Sequence, residues 1–222
     1  MSALRSVAMT LWYEKRLFVL DLETDCTDPH EARIVTAAFG HVGGDQPKNV
    51  RTVVVIPVGF EIPEEAAAIH GFSTERATEE GGSLEDTLRQ MVEVLGERAD
   101  DEVLVAFNAR FDITIVAAEF ARLGLQPPDL ASRIVDPFVL DRWLDRYRRG
   151  SRKLEDMCQH YNAILQSAHD AEYDAVAAAR LAWVMGKRGE VKRRVRNAEE
   201  GRELAMLKRE WEQVRHDPVL LH

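Results

Sequence analysis

The sequence predicts an α/β fold, a mixed sheet with helices on its faces. Three observations carry this. Three strand-like apolar runs follow one another between residues 18 and 57, helical patterns alternate with shorter strands after residue 63, and residues 171–185 form an alanine-rich helical pattern. The 222 residues can bury one substantial core with a small appendage. Apolar content of 45% and charged content of 30% are those of an ordinary globular chain, and no apolar run is long enough to span a bilayer. Residues 1–16 also lack the apolar stretch of a secretory signal, so a cytoplasmic protein is expected.

The first strand is Phe18-Val19-Leu20-Asp21-Leu22-Glu23-Thr24. A second at 32–42 ends at the turn signal Gly43-Gly44-Asp45, and a third lies at 49–57, so the short connections predict a β-meander. Residues 63–69 read as a short helix ending at His70-Gly71. A clearer one covers 83–95, with Ser83 as N-cap and Leu84, Leu88, Met91, Val92 and Leu95 on one stripe. A fourth strand at 102–107 leads into a helix over 111–123, which carries Ile115, Ala118, Phe120 and Leu123 and stops at Gly124. Residues 133–135 fit a short fifth strand, followed by a helix with Val139, Leu140, Trp143 and Leu144 and another over 153–161. The last helix places Ala175, Ala178, Leu181, Ala182 and Met185 on a closely packed face. One domain is therefore expected over 1–186. The extension 187–222 differs in character: six bases crowd residues 187–196, and Leu204, Leu207, Trp211 and Val214 then recur at heptad-like spacing. It is either a terminal helix folded back on the domain or a helix that binds a partner.

Cys26 and Cys158 stand apart without a CxxC or a histidine cluster, which predicts two reduced thiols. A net charge of −9 argues against a protein that coats nucleic acid non-specifically. It does not argue against a nuclease, because carboxylates that hold cations contribute to that charge.

Those carboxylates start in the first strand. Asp21 and Glu23 are two positions apart, so they point to one face, where their repulsion is costly unless a cation lies between them. Asp112, in Asn108-Ala109-Arg110-Phe111-Asp112, follows the fourth strand at the sheet edge where α/β proteins bind ligands; alone it would read as a helix-start acid. His169-Asp170-Ala171-Glu172-Tyr173-Asp174-Ala175 supplies the rest. On one continuous helix His169 and Asp174 would lie about 140° apart around the axis, so they can share a site only if His169 sits at a frayed start. Singly, His169 reads as a cap or surface residue and Asp174 as a hydrogen-bonded core acid.

Asp-x-Glu, Asn-x-x-Phe-Asp and His-x-Ala-x-x-Asp-Ala, in this order, resemble the motifs of the DEDDh 3′–5′ exonucleases, the DnaQ-like superfamily that includes the proofreading subunit of bacterial DNA polymerase III. The likeness runs from about residue 18 to 185. Ile69-His70-Gly71 is similar to the family's segment near the terminal nucleotide, and residues 153–158 are similar to its helix before the third motif. The resemblance implies a ribonuclease H-like mixed five-stranded sheet flanked by helices. It makes Asp21, Glu23, Asp112 and Asp174 the metal carboxylates and His169 the general base, with Thr24, His70, Asn108 and Phe111 near the substrate. It further implies hydrolysis at the 3′ end of single-stranded or frayed DNA in proofreading or repair, with RNA trimming as the alternative. A non-catalytic module whose C-terminal helix docks on a polymerase or other replication partner is the further alternative.

The chemistry is consistent with this. Two cations about 3.5–4 Å apart supply the nucleophile, charge stabilisation and leaving-group assistance that phosphodiester hydrolysis needs, and all-oxygen ligands suit Mg²⁺ or Mn²⁺. Asp25 departs from the family's usual small residue: it could repel phosphate, hold a water on a metal, or point away. Asp170 and Glu172 read as solvated helix-start acids. Arg142, Arg146, Arg148, Arg149, Arg152 and Lys153, with Tyr147 among them, are either a solvated loop or a guide for a single strand.

Overall fold

The structure, a computed structural model, describes residues 11–100, 102–163 and 171–187. Its strands are β1 (Arg16–Thr24), β2 (Ile34–Gly43), β3 (Asn49–Val54), β4 (Val103–Val105) and β5 (Ile134–Val135). They form one sheet in the order β3-β2-β1-β4-β5. β1–β2 and β2–β3 are antiparallel, whereas β1–β4 and β4–β5 are parallel. The expected meander is therefore present, with the two late strands added on its other side. The sheet has the mixed, helix-flanked ribonuclease H-like architecture that the motifs imply.

Alternation along β1 decides what each face holds. Phe18, Leu20 and Leu22 enter the larger core with Leu88, Met91 and Val94 of α3 (Leu84–Gly96) and Ile115, Val116 and Phe120 of α4 (Ala109–Arg122). Leu17 and Val19 face the other way, against Ala175, Ala178, Ala179 and Ala182 of α7 (Ala171–Lys187). Burying each large apolar side chain contributes about 1.5–3 kcal/mol. The alanines matter for distance: small side chains let α7 lie close to the central strand. At its far end a Cβ on Gly186 would sit 2.4 Å from the Tyr13 ring, so that approach requires glycine.

α5 (Pro137–Leu144) and α6 (Leu154–Tyr161) complete this side, with Met157, Cys158 and Tyr161 packing on Leu181 and Met185. The turn between them is held by Asp141, which is fully buried and accepts from Arg148, Arg152 and Tyr161. Another buried polar pair, His41 with Glu102, is satisfied by the Val94 carbonyl and the Ala99 amide.

Two elements escape the sequence pattern. Besides α1 (Glu64–His70) there is α2 (Thr74–Glu80), which opens at Ser73, whose hydroxyl accepts from the Arg76 amide at 3.2 Å. Only Ala77 of α2 is buried, so it has no apolar stripe to announce it. A 3₁₀ turn, Trp12–Glu14, precedes β1. The fourth strand is shorter than 102–107 because the chain leaves the ladder before Asn108. No described helix is long and apolar enough to cross a membrane. The 188–222 segment, with its heptad-like spacing, lies outside the described residues.

Candidate active site

Leu17, Val19, Asp21 and Glu23 share one face of β1 by strand alternation. The first pair is covered by α7 and the second pair emerges beyond its start. Asp174, in the first turn of α7, meets them there: one carboxylate oxygen from each of Asp21, Glu23 and Asp174 lies within 4.8 Å of the others. All three are half-buried. Pairing with β2 shifts register between Glu23 and Thr24, so a bulge bends the strand where its carboxylates are presented.

Asp112 arrives from the neighbouring parallel strand. β4 ends, Asn108 adopts a left-handed backbone (φ 57, ψ 45), and α4 begins immediately. Asn is among the few side chains that tolerate this conformation, which gives Asn108 a structural reason beside its expected substrate role. Asp112 is buried in the first turn, and its Oδ1 accepts the Leu22 amide at 3.1 Å, between the two β1 acids. It adjoins the three-carboxylate group and is anchored to the strand that carries two of its members.

Asp136 fixes that turn. Its carboxylate accepts from the amides of Asn108 (3.0 Å), Ala109 (2.9 Å) and Phe138 (2.9 Å), so one buried acid caps α5 and also holds the start of α4. This residue was not among the expected site residues. Its signal is Asp136-Pro137, an N-cap followed by proline at the first helical position.

Electrostatics mark the site as an excess of negative charge among the described residues. Desolvation, then repulsion from Asp112, Glu23 and Asp174, pushes the Asp21 carboxyl well above the usual range. Desolvation also raises Asp112, against the amides that bond it, with repulsion from Asp136 and Glu23 adding to the rise.

The remaining expected residues are distributed unevenly. Thr24 donates its hydroxyl to the Cys26 carbonyl at 2.7 Å. His70 is buried beside the Thr24 backbone; its Nδ1 accepts the Phe72 amide at 3.2 Å, and burial lowers its proton affinity. Phe111 packs at the margin of the larger core, and His169 lies outside the described residues. Asp25 makes a structural contact: it accepts the Arg33 amide at 2.7 Å, while its own amide donates to the Arg33 carbonyl. Glu172 differs from expectation. It is half-buried and ion-paired with Lys48 of the loop before β3.

Comparison with known proteins agrees with this geometry. The exonuclease family profile matches residues 18–182, three-quarters of the chain. The chain belongs to the exonuclease family, as a DEDDh, DnaQ-like member. It is 36% identical over 91 residues to the PolC-type DNA polymerase III of Listeria welshimeri, a match covering 41% of this chain and 6% of that relative. The corresponding Streptococcus sanguinis protein is 32% identical over 101 residues, covering 45% and 7%. Among solved structures, E. coli Exonuclease I in complex with a dT13 oligonucleotide superposes with a TM-score of 0.70 at 16% identity, covering 86% of this chain and 45% of that one. The moderately thermophilic Exonuclease I from Methylocaldum szegediense gives 0.68 at 21% identity, covering 91% and 46%. This member of the exonuclease family thus spans a small fraction of the polymerase relatives and less than half of each Exonuclease I chain.

The donor set of this exonuclease-family site fits a hard divalent cation. Among the described residues the clustered side chains offer only carboxylate oxygens, and the repulsion that adds to desolvation in raising Asp21 and Asp112 is what a cation relieves.

Proposed function

We propose that this chain is a divalent-cation-dependent exonuclease that removes nucleotides from the 3′ end of DNA and releases nucleoside 5′-monophosphates, in proofreading or repair. The observation that carries the proposal is the convergence of Asp21, Glu23 and Asp174 within 4.8 Å, with Asp112 bonded beside them. Two Mg²⁺ or Mn²⁺ ions suit four carboxylates, which would hold them. When bound, they polarise the phosphoryl group, favour hydroxide over water and stabilise the departing 3′ oxygen.

The protein's own groups do the rest. Asp136 and the packed start of α7 fix the carboxylates in place. His169 accepts the proton of the attacking water; an ordinary histidine, with a pKa near 6.5, can do so at neutral pH. Water oxygen bonds to phosphorus, the bond from phosphorus to the 3′ oxygen breaks, and phosphate stays on the 5′ oxygen of the released nucleotide. Thr24 and His70 border the terminal nucleotide, and Asn108 and Phe111 shape the turn beside it.

DNA is favoured because the Exonuclease I structures hold DNA oligonucleotides and the sequence relatives are DNA polymerases. RNA trimming uses the same carboxylates and differs in recognition of the 2′-hydroxyl. The 187–222 extension is the segment through which a polymerase or other partner would be engaged. The test uses matched DNA and RNA oligonucleotides, each blocked at the 5′ or the 3′ end, with Mg²⁺, Mn²⁺ or chelator. Stepwise shortening that needs a cation and stops with a 3′ block is expected. Internal cuts, or digestion that a 5′ block alone stops, would overturn the assigned polarity.

A further inference from the structure

α5 and the loop behind it contain six bases between residues 142 and 153. The structure divides them into two sets. Arg148 Nε donates to both oxygens of Asp141 at 3.1 Å, and Arg152 Nε donates to Oδ2 at 2.6 Å. Burial would raise the Asp141 carboxyl, but Tyr161, Arg152 and Arg148 outweigh it and hold the group below the usual range. These two guanidiniums therefore neutralise one buried acid and close the loop.

The other four bases, Arg142, Arg146, Arg149 and Lys153, are exposed, and Asp145 is the single acid between residues 142 and 153. In a chain of net charge −9 this is a local excess of positive charge. Aromatic rings are interleaved with it. Arg142 lies 5.6 Å from the Phe138 ring centroid and Arg146 lies 5.9 Å from that of Tyr147, which is 85% exposed. Phe138 in turn meets Phe107 at 5.9 Å, directly before the Asn108 turn that presents Asp112. With Asp136 bonded to the same turn, α5 starts at the turn that presents Asp112 and runs about 12 Å; Arg142 lies on it, and the rest of the strip, Arg146, Tyr147, Arg149 and Lys153, follows in the loop beyond its end.

We propose that this strip binds the single strand on the 5′ side of the scissile end. Arg142, Arg146, Arg149 and Lys153 contact phosphates, and Tyr147 offers a face for base stacking. Interleaved rings and continuity with the carboxylates favour nucleic acid over an acidic protein. The proposal rests on the nuclease reading for its position but makes a separate claim about binding.

The test compares the full chain with the Arg142→Ser/Arg146→Ser/Arg149→Ser variant and with Tyr147→Ser. Anisotropy of 5′-labelled dT20 and rU20 in chelator measures binding. Cation-dependent hydrolysis of thymidine 5′-(p-nitrophenyl phosphate), too short to reach the strip, measures the carboxylate site, and circular dichroism confirms folding. The triple variant should lose at least about tenfold in affinity for both oligonucleotides. Its slope of log K against log salt should become shallower by about two, three contacts at roughly 0.7 each. Ester hydrolysis should be unchanged. Tyr147→Ser should weaken binding while leaving the salt slope intact. Unchanged oligonucleotide affinity and slope in a folded triple variant would overturn the strip and leave the surface to an acidic protein. Failure of wild type to hydrolyse either the ester or an oligonucleotide would instead overturn the nuclease reading, while anisotropy still decides the strip.

Discussion

Single side chains separate into those that hold charge for chemistry and those that hold the backbone. On the proposed nuclease reading, Asp21, Glu23 and Asp174 belong to the first group, so Asp21→Asn or Asp174→Asn should lower cation-dependent hydrolysis on the order of a hundredfold or more. The same Asp21→Asn change relieves repulsion in the cation-free protein, so its melting temperature in chelator should equal or exceed that of wild type. A large fall there would show that the carboxylate is structural. Asp25 belongs to the second group. Asp25→Ala forfeits the bond to the Arg33 amide, at about 1 kcal/mol by denaturant titration, and should leave hydrolysis within a few-fold of wild type. The alternation of Asp21 and Glu23 was legible in the sequence because strand period alone sets it. The role of Asp25 was not, because its partner lies eight residues away across the β1–β2 register.

At the scale of elements, the acids at helix starts and in turns are the least legible and the most consequential. Asp136 serves α4 and α5 together, so Asp136→Ala should cost about 2 kcal/mol or more, exceeding a simple N-cap, and should also lower activity by loosening the Asp112 turn. Asp141 ties α5, its loop and α6. Its carboxyl is held below the ordinary value near 4, so its contribution to stability is fully present above that value and is lost as pH falls through the folded-state pKa. Unfolding titrations from pH 7 down to pH 2 should show this acid limb in wild type and a weakened one in Asp141→Asn. Asp141→Ala should cost about 3–5 kcal/mol at neutral pH by leaving two arginines without their buried partner. Sequence reading grouped all six bases of this region together, since nothing in their spacing tells that Arg148 and Arg152 turn inward. It likewise missed α2, whose single buried alanine leaves no periodic apolar face.

Across the whole molecule, the meander and the mixed sheet were legible, because apolar runs mark the first three strands, and the expected carboxylates fall on β1, after β4 and on α7. Contacts between segments far apart in sequence, such as Asp112 with the Leu22 amide, were not. A fold that gathers acids around one point should be stabilised by the ion that balances them. At a cation concentration a hundred times its dissociation constant, the gain is about 2.7 kcal/mol, readable as a rise in melting temperature over chelator. The central claim is that the cluster itself is the cation site, and electron paramagnetic resonance of free Mn²⁺ during titration into chelator-stripped protein measures this directly. Wild type should take up two ions and folded Asp174→Asn should lose at least one of them; Mn²⁺ binding by that variant with unchanged number and affinity would contradict the claim.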